Sequence, residues 1–224
     1  MKKILSIDAE TDGLWGNPFS IAAIVYEDGK EIDKVCYRLP DEVVTDEWVK
    51  ENVLPTLNFP VTHRISLKDD DKLYSNCFSE QALAEGYTYQ RHADRTEHLE
   101  EEYRRQLRTK CDFEKSYQQM LKDFAEFYNK YRQESTVLWH MGHIIESHLF
   151  RELHRLELIG DWDAPYTPIE VSEILRQNSE DAGSVDGYIK KYDISVNDYG
   201  STHNPLYDCE VAAKTYFHLV NSLH

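Results

Sequence analysis

Residues 3–10 read KILSIDAE, and this stretch, together with the apolar run FSIAAIVY at residues 19–26, decides the fold. Side chains alternate along a strand, so the face that carries both acids consists of Ile4, Ser6, Asp8 and Glu10. The run at 19–26 is typical of a buried strand, and Asp28-Gly29 is a hairpin signal before a further strand at 31–39. The chain therefore opens with a predicted antiparallel meander of three strands.

Helical and strand patterns alternate in the rest of the chain, which predicts an α/β domain with a mixed central sheet flanked by helices, the later strands being parallel. We expect a short helix in 44–57 that stops near Pro55, a helix at 113–131, a strand at 137–141, a helix at 146–158, an apolar segment at 166–175, a helix near 184–191 and a last helix from Leu206 to Val220. Residues 64–112 are polar, with only Leu99, Tyr103 and Leu107 at helical spacing. We interpret residues 1–224 as one domain with an insertion at about 64–112.

The composition limits the classes of protein. Hydrophobic residues make up 41% of the chain and the formal net charge is −16, which argues against a broad basic surface for nucleic acid. We expect no membrane span, and the N-terminus predicts a first strand and not a signal peptide. The four cysteines are scattered, which is typical of free thiols in a reducing cytoplasm; they are Cys36, Cys77, Cys111 and Cys209.

Asp8 and Glu10 form the first cluster with chemical potential. Two carboxylates two positions apart on a strand point the same way, about 7 Å apart along the chain. With acids from elsewhere they could bind a hard divalent cation. The alternative is a surface strand with two solvated acids.

The octet at 201–208, STHNPLYD, forms the second cluster. Asn204 is a good helix N-cap and Pro205 suits the first helical position, which places Asp208 in the first two turns and His203 just before the helix. An imidazole can accept a proton from water near neutral pH. The alternative is a capping loop with an incidental histidine.

Residues 140–150, HMGHIIESHLF, form the third cluster. The spacing of its three histidines does not match a two-histidine zinc pair on a helix. Glu146 shares a helical stripe with Leu149, Phe150 and Leu153, whereas His148 lies roughly 200° round that helix. Glu146 is therefore the better partner for the other acids, although a helix-start glutamate that only favours the helix dipole is the alternative.

The three clusters, in this order, resemble the motifs of the DEDDh exonucleases, which have a ribonuclease H-like fold. SIDAET resembles their first motif, HIIESHLF the second with Glu146 where Asp is usual, and HNPLYD the third. SVDGYIKKYDI resembles the short helix that precedes the third motif. The resemblance covers roughly 1–60 and 115–224.

The resemblance implies a metal-dependent 3′–5′ exonuclease that releases 5′-mononucleotides from the 3′ end of single-stranded nucleic acid, with RNA slightly favoured over DNA. It implies two Mg²⁺ or Mn²⁺ ions held by Asp8, Glu10, Glu146 and Asp208, with His203 as the general base. The loop after the first strand would seat the terminal nucleotide, through Thr11, Leu14 and Trp15. For Trp15, stacking on a base and packing in the core are both open.

Three other interpretations are open. An oligonucleotide phosphodiesterase acting on very short substrates shares every motif, and strong acidity suits it. A catalytically inactive member could bind nucleic acid or a protein. A subunit that forms a homodimer through 64–131 would explain that segment but not the acids. Four cations in 104–110 are interpreted as a solvated mixed-charge helix face; they are Arg104, Arg105, Arg108 and Lys110.

Overall fold

The computed structural model describes residues 3–64 and 101–221, with side chains over 3–64 and 112–220. Its strands are β1 (Lys3–Thr11), β2 (Pro18–Glu27), β3 (Lys30–Arg38), β4 (Ser135–Trp139) and β5 (Ile169–Glu170). They form one sheet in the order β3-β2-β1-β4-β5, in which the first three strands are antiparallel and β4 and β5 continue parallel to β1. The predicted antiparallel meander followed by parallel strands, within an α/β domain, is confirmed.

Helices cover both faces of this sheet. They are α1 (Glu47–Asn52), α2 (Glu101–Tyr131), α3 (Ile145–Arg155), α4 (Val171–Gln177), α5 (Val185–Lys191) and α6 (Pro205–Asn221). Two short 3₁₀ turns, Asp41–Val43 and Leu54–Thr56, flank α1. In the described part of the chain, every helix is too short or too polar to cross a membrane.

Alternation along β1 divides the core into two layers. Leu5, Ile7 and Ala9 pack in the layer that contains α2 and α3, whereas Ile4 packs in the layer that contains α4, α5 and α6. Asp8 and Glu10 share the strand parity of Ile4, so they point toward the layer of α6. The expected division of β1 into an acid-bearing face and an apolar face is confirmed.

Some predicted boundaries are wrong for local reasons. The helix expected in 44–57 is divided, because Asp46 caps α1 and the chain continues through the 3₁₀ turn that contains Pro55. The strand expected at 137–141 begins earlier and ends at Trp139, since the backbone at Met141 has a φ of 60°. The helix expected at 113–131 begins at Glu101.

The interpretations made for the polar insertion fall largely on residues that the structure does not describe. Leu99 lies outside the described residues. The stripe positions Tyr103 and Leu107 and the four cations of 104–110 belong to α2, but their side chains lie outside the described ones.

Candidate active site

Three carboxylates from distant parts of the chain meet at the end of β1. One oxygen each of Asp8, Glu10 and Asp208 lies within 4.8 Å of the other two. Asp8 and Glu10 come from β1, and Asp208 comes from the first turn of α6, as the helix signal at Asn204-Pro205 predicts. All three side chains keep partial contact with solvent, so the cluster is not enclosed in the core.

Glu146 reaches the same centre from the opposite layer. It lies in the first turn of α3 and is 3% exposed. Its Oε1 accepts a hydrogen bond of 3.2 Å from the Ala9 backbone N–H. Since β4 pairs with β1 only as far as Ser6, that N–H has no strand partner on this side, and the carboxylate supplies one. The structure thus places Glu146 against the backbone between the two acids of β1, outside the group of three.

The backbone N–H and the backbone carbonyl of His203 are both hydrogen-bonded. Its N–H donates to Asp208 Oδ2 at 2.8 Å, and its carbonyl accepts from Thr56 Oγ1 at 2.8 Å. Its φ of 69° lies in the left-handed region, which a non-glycine residue occupies at a cost. The imidazole Nδ1 lies 3.9 Å from Glu10 Oε1, and the ring meets Trp48 edge-on with centroids 5.5 Å apart. His203 is therefore directed at the carboxylate centre from a fixed backbone.

The electrostatics of the centre favour a cation. Burial, followed by repulsion from Asp208 and Glu146, raises the pKa of Asp8 and of Glu10 well above the usual values. Burial also raises the pKa of Glu146 to about 8, against the opposing effect of hydrogen bonds from its own N–H and that of Ala9. The pKa of Asp208 rises to about 7, because burial outweighs the His203 N–H bond.

No lysine or arginine relieves this repulsion within the described side chains. The salt bridges that the described lysines and arginines form do not include Asp8, Glu146 or Asp208. Glu10 is within salt-bridge distance of the His203 imidazole alone among the described side chains. Burial lowers the pKa of His203, which favours its neutral imidazole over the compensating cation. Oxygen-only donors with concentrated negative charge suit hard divalent cations such as Mg²⁺ or Mn²⁺. The donor set therefore fits the metals that the sequence suggests.

The loop after β1 borders this centre. Leu14 and Trp15 are exposed, Trp15 by 72%, so packing of Trp15 in the core is excluded. Thr11 is buried, and its hydroxyl donates to the Gly13 carbonyl at 2.7 Å, which closes the turn. Asp12 ties the loop to the start of α1, since its carboxylate accepts from the Thr45 N–H and the Asp46 N–H, each at 2.8 Å.

Three residues of this arrangement carry no signal in the sequence: Asp12, Trp48 and Thr56. An N-cap preference at Asp46 indicates that a helix begins there, but nothing local indicates that Trp48 contacts His203. Thr56 and His203 are 147 positions apart in the sequence, so only the folded chain brings them into contact.

The three histidines of the third cluster do not form a metal site with one another. His140 Nε2 lies 2.9 Å from the Ala182 carbonyl, and His143 faces solvent. Asp161 and Asp163, the acids that follow α3, instead pair with His154 and with Arg132, each at 2.7 Å. Among the described residues, the acids of β1 and α6 form the one group whose spacing suits a metal ion.

Known proteins match this chain in structure but not in sequence. No protein-family model matches the chain, and no curated protein is significantly similar to it. Among solved structures, exonuclease X in complex with 5′-overhanging duplex DNA is similar over 99% of this chain and 92% of that chain, with 18% identity and a TM-score of 0.46. A similarity this weak does not indicate an activity.

Proposed function

We propose that this protein is a metal-dependent 3′–5′ exonuclease that hydrolyses phosphodiester bonds of single-stranded nucleic acid and releases 5′-mononucleotides. The observation that carries the proposal is the convergence of Asp8, Glu10 and Asp208 within 4.8 Å, beside a neutral imidazole and without a described lysine or arginine. The polarity, the single-strand preference and the slight preference for RNA rest on the motif resemblance.

Each residue of the centre has a role in this proposal. Asp8, Glu10 and Asp208 would hold two divalent cations, Mg²⁺ or Mn²⁺, with Glu146 completing the set. Bound there, the cations would neutralise charge on the scissile phosphate and polarise it toward attack. His203 is the general base: its neutral imidazole accepts the proton of the attacking water.

The loop after β1 would hold the terminal nucleotide. Leu14 and Trp15 present exposed apolar surface on the loop after β1. The hydrogen bonds of Asp12 to the start of α1 fix the position of this loop. Stacking on such side chains tolerates any base. Thr11 contributes through the turn that its hydroxyl closes.

A degradation assay tests the proposal. End-labelled single- and double-stranded RNA and DNA would be incubated in parallel with Mg²⁺, with Mn²⁺ and with EDTA. We expect a 5′-label to give a ladder that shortens from the 3′ end, and a 3′-label to appear at once as a mononucleotide. No degradation of any substrate in Mn²⁺, or equal degradation in EDTA, would refute the proposal.

A second candidate function is hydrolysis of very short oligonucleotides, which the net charge of −16 favours. An acidic surface repels a long polyanion more strongly than a dinucleotide. Comparing kcat/KM for a dinucleotide and for a ten-nucleotide strand separates the two functions.

A further inference from the structure

Glu170 ends β5 at the level of the loop that leads into α3. In the parallel pairing of β4 and β5 it lies opposite Trp139, the last residue of β4. The chain leaves β4 there and passes through Met141 and Gly142 before it enters α3. Glu170 is therefore beside the loop that carries Glu146 to the carboxylate centre.

The Glu170 carboxylate accepts hydrogen bonds from two separate segments. Its Oε1 accepts from the Met141 N–H at 2.8 Å, and its Oε2 accepts from the Gly142 N–H at 3.2 Å. Oε1 also accepts from Ser172, from the backbone N–H at 3.2 Å and from the hydroxyl at 2.8 Å. One side chain thus caps the start of α4 and fixes the loop before α3.

This support matters for α3 because the N-cap residue of that helix has no polar side chain. Ile144 occupies the N-cap position and makes no side-chain cap bond. The Gly142 carbonyl instead accepts from the Ser147 N–H at 3.1 Å and from the Ser147 hydroxyl at 3.2 Å. Through its N–H and its carbonyl, Gly142 therefore links Glu170 to the residue that directly follows Glu146.

The same loop has little room to change its conformation. A Cβ atom on Gly142 would lie 2.4 Å from Cγ of the Trp139 indole, so glycine is required at this close approach. Met141 has a φ of 60°, in the left-handed region that a non-glycine residue occupies at a cost. The hydrogen bonds from both residues to Glu170 offset that cost. The indole and the carboxylate together fix the path of the chain into α3.

The carboxylate of Glu146 needs an accurately placed helix. Its Oε1 lies 3.2 Å from the Ala9 nitrogen, at the long end of the range for such a hydrogen bond, so a small displacement of α3 away from β1 would break the bond. Glu170 is also within electrostatic range: burial raises the pKa of Glu146, and the charge of Glu170 raises it further. Among the described residues, Glu170 lies outside the group of carboxylates whose spacing suits a metal ion. It is thus a neighbour of the centre and not one of its candidate ligands.

We propose that Glu170 is a positioning residue of the cation site: it fixes the loop before α3 and thereby holds the Glu146 carboxylate against β1. The inference deepens the proposed function and rests on it for one point, the role of Glu146 in holding a cation. The competing explanations are that Glu170 acts through its charge alone, or that it only caps α4.

Two substitutions separate position from charge. Glu170→Asp keeps the charge, and aspartate is a preferred N-cap, so α4 remains capped. Its carboxylate reaches about 1.5 Å less far, so the bonds from Met141 and Gly142 are lost. Glu170→Gln loses the charge but keeps the length and one acceptor oxygen, which can still take the Met141 N–H. Glu173→Asp is the matched control, because Glu173 is exposed on the same helix and pairs with Arg176.

Mn²⁺ affinity, measured without substrate from the EPR signal of the free ion, tests the inference. We expect Glu170→Asp to weaken Mn²⁺ binding at least about tenfold, the lower end for loss of a residue that supports a metal ligand, and Glu170→Gln to weaken it less. In a Glu146→Gln background, Glu170→Asp should change the affinity by less than about twofold, because its effect passes through Glu146. Glu173→Asp should leave the affinity unchanged in both backgrounds.

Thermal unfolding in EDTA first establishes that each variant is folded. The same cycle with Glu170→Gln keeps the test intact if Glu170→Asp does not fold, since the smaller loss in that variant must also shrink in the Glu146→Gln background. Unchanged Mn²⁺ affinity in Glu170→Asp would overturn the inference. A loss that is equal in both backgrounds would do the same, because it would indicate a general structural defect.

The remaining outcomes separate this inference from its competitors and from the proposed function. A greater loss in Glu170→Gln than in Glu170→Asp would assign the effect to charge. A Glu146→Gln protein that binds Mn²⁺ as the wild type does would place Glu146 outside the cation site and overturn the inference with it. If the expected coupling is found while the wild type degrades no nucleic acid in Mn²⁺, the positioning role stands and the proposed hydrolysis fails.

Discussion

Replacing Glu146 with glutamine should make the metal-free protein more stable at neutral pH while impairing the proposed hydrolysis. The folded protein keeps a proton on this side chain, because burial raises its pKa from 4.5 to about 8. Above pH 4.5 the side chain loses its proton in the unfolded chain but keeps it in the folded protein. The free energy of unfolding therefore falls as the pH rises from 4.5 toward about 8. Between pH 4.5 and pH 7 the free energy of unfolding falls by about 3 kcal/mol, at about 1.4 kcal/mol per pH unit. Glutamine is neutral in both states and avoids that cost.

The hydrogen bond to Ala9 decides between the available substitutions. The amide oxygen of Glu146→Gln can still accept from the Ala9 N–H, so the packing of α3 on β1 is kept. Glu146→Asp is one methylene shorter and loses that bond, which would leave a buried N–H unsatisfied at a cost of roughly 1–3 kcal/mol. We therefore expect Glu146→Asp to be the less stable of the two variants, even though it keeps the charge.

Thermal unfolding in EDTA between pH 4 and 8 measures the effect. We expect Glu146→Gln to exceed the wild type in Tm at pH 7 and to match it near pH 4. Glu152→Gln on the same helix is the control, with the opposite sign: Arg155 lowers the pKa of Glu152, so removing its charge should lower Tm at pH 7. A Glu146→Gln protein with a Tm equal to or below the wild type at pH 7 would refute the reasoning.

Turnover in Mn²⁺ gives the second readout for Glu146. Loss of one charge from the cation site should reduce kcat at least tenfold in Glu146→Gln, whose fold is intact. A fully active Glu146→Gln protein would show that Glu146 has only a structural role, through its hydrogen bond with the Ala9 N–H.

Three further predictions concern the same centre. Mn²⁺ should raise the unfolding free energy, by about 2.7 kcal/mol at a hundredfold excess over Kd, and an unchanged Tm in millimolar Mn²⁺ would count against the site. His203→Ala should lower the chemical rate roughly 10²–10⁴-fold with metal affinity nearly unchanged, and wild-type turnover when chemistry limits the rate would show that another group is the base. The wild-type Tm in EDTA should fall as pH rises from about 5 to 8, since the raised pKa values of Asp208 and Glu146 favour the protonated folded state, and Mn²⁺ should reduce that dependence.

The sequence predicts the sheet well because its signals are local. Alternation along 3–10 separates the acids from Leu5, Ile7 and Ala9, and this division holds in the two core layers. The pairing of Asn204 and Pro205 predicts the start of α6, and the Leu206 N–H does bond to Asn204 Oδ1 at 3.2 Å. The division of 44–57 into α1 and the turn at Leu54–Thr56 is not predicted, because the segment has the pattern of one short helix.

The detailed shape of the centre depends on contacts that no local pattern encodes. A glutamate in place of the usual aspartate is visible in the sequence, but its bond to Ala9 becomes evident only when α3 lies against the free edge of β1. The left-handed backbone of His203 likewise follows from bonds at both of its polar groups, one of them to Thr56. The roles of the site residues in catalysis stay predictions until the variants are measured.

The bond between the Ala9 amide and Glu146 gives this centre a spectroscopic reporter of its own. An amide proton donated to a carboxylate changes its NMR frequency with the charge on that carboxylate, and it exchanges with solvent only when the bond opens. Because β4 has already separated from β1 at this position, no neighbouring strand protects the same proton. One ¹⁵N-resolved resonance should therefore follow the protonation of Glu146 and the arrival of a cation, in the absence of any substrate.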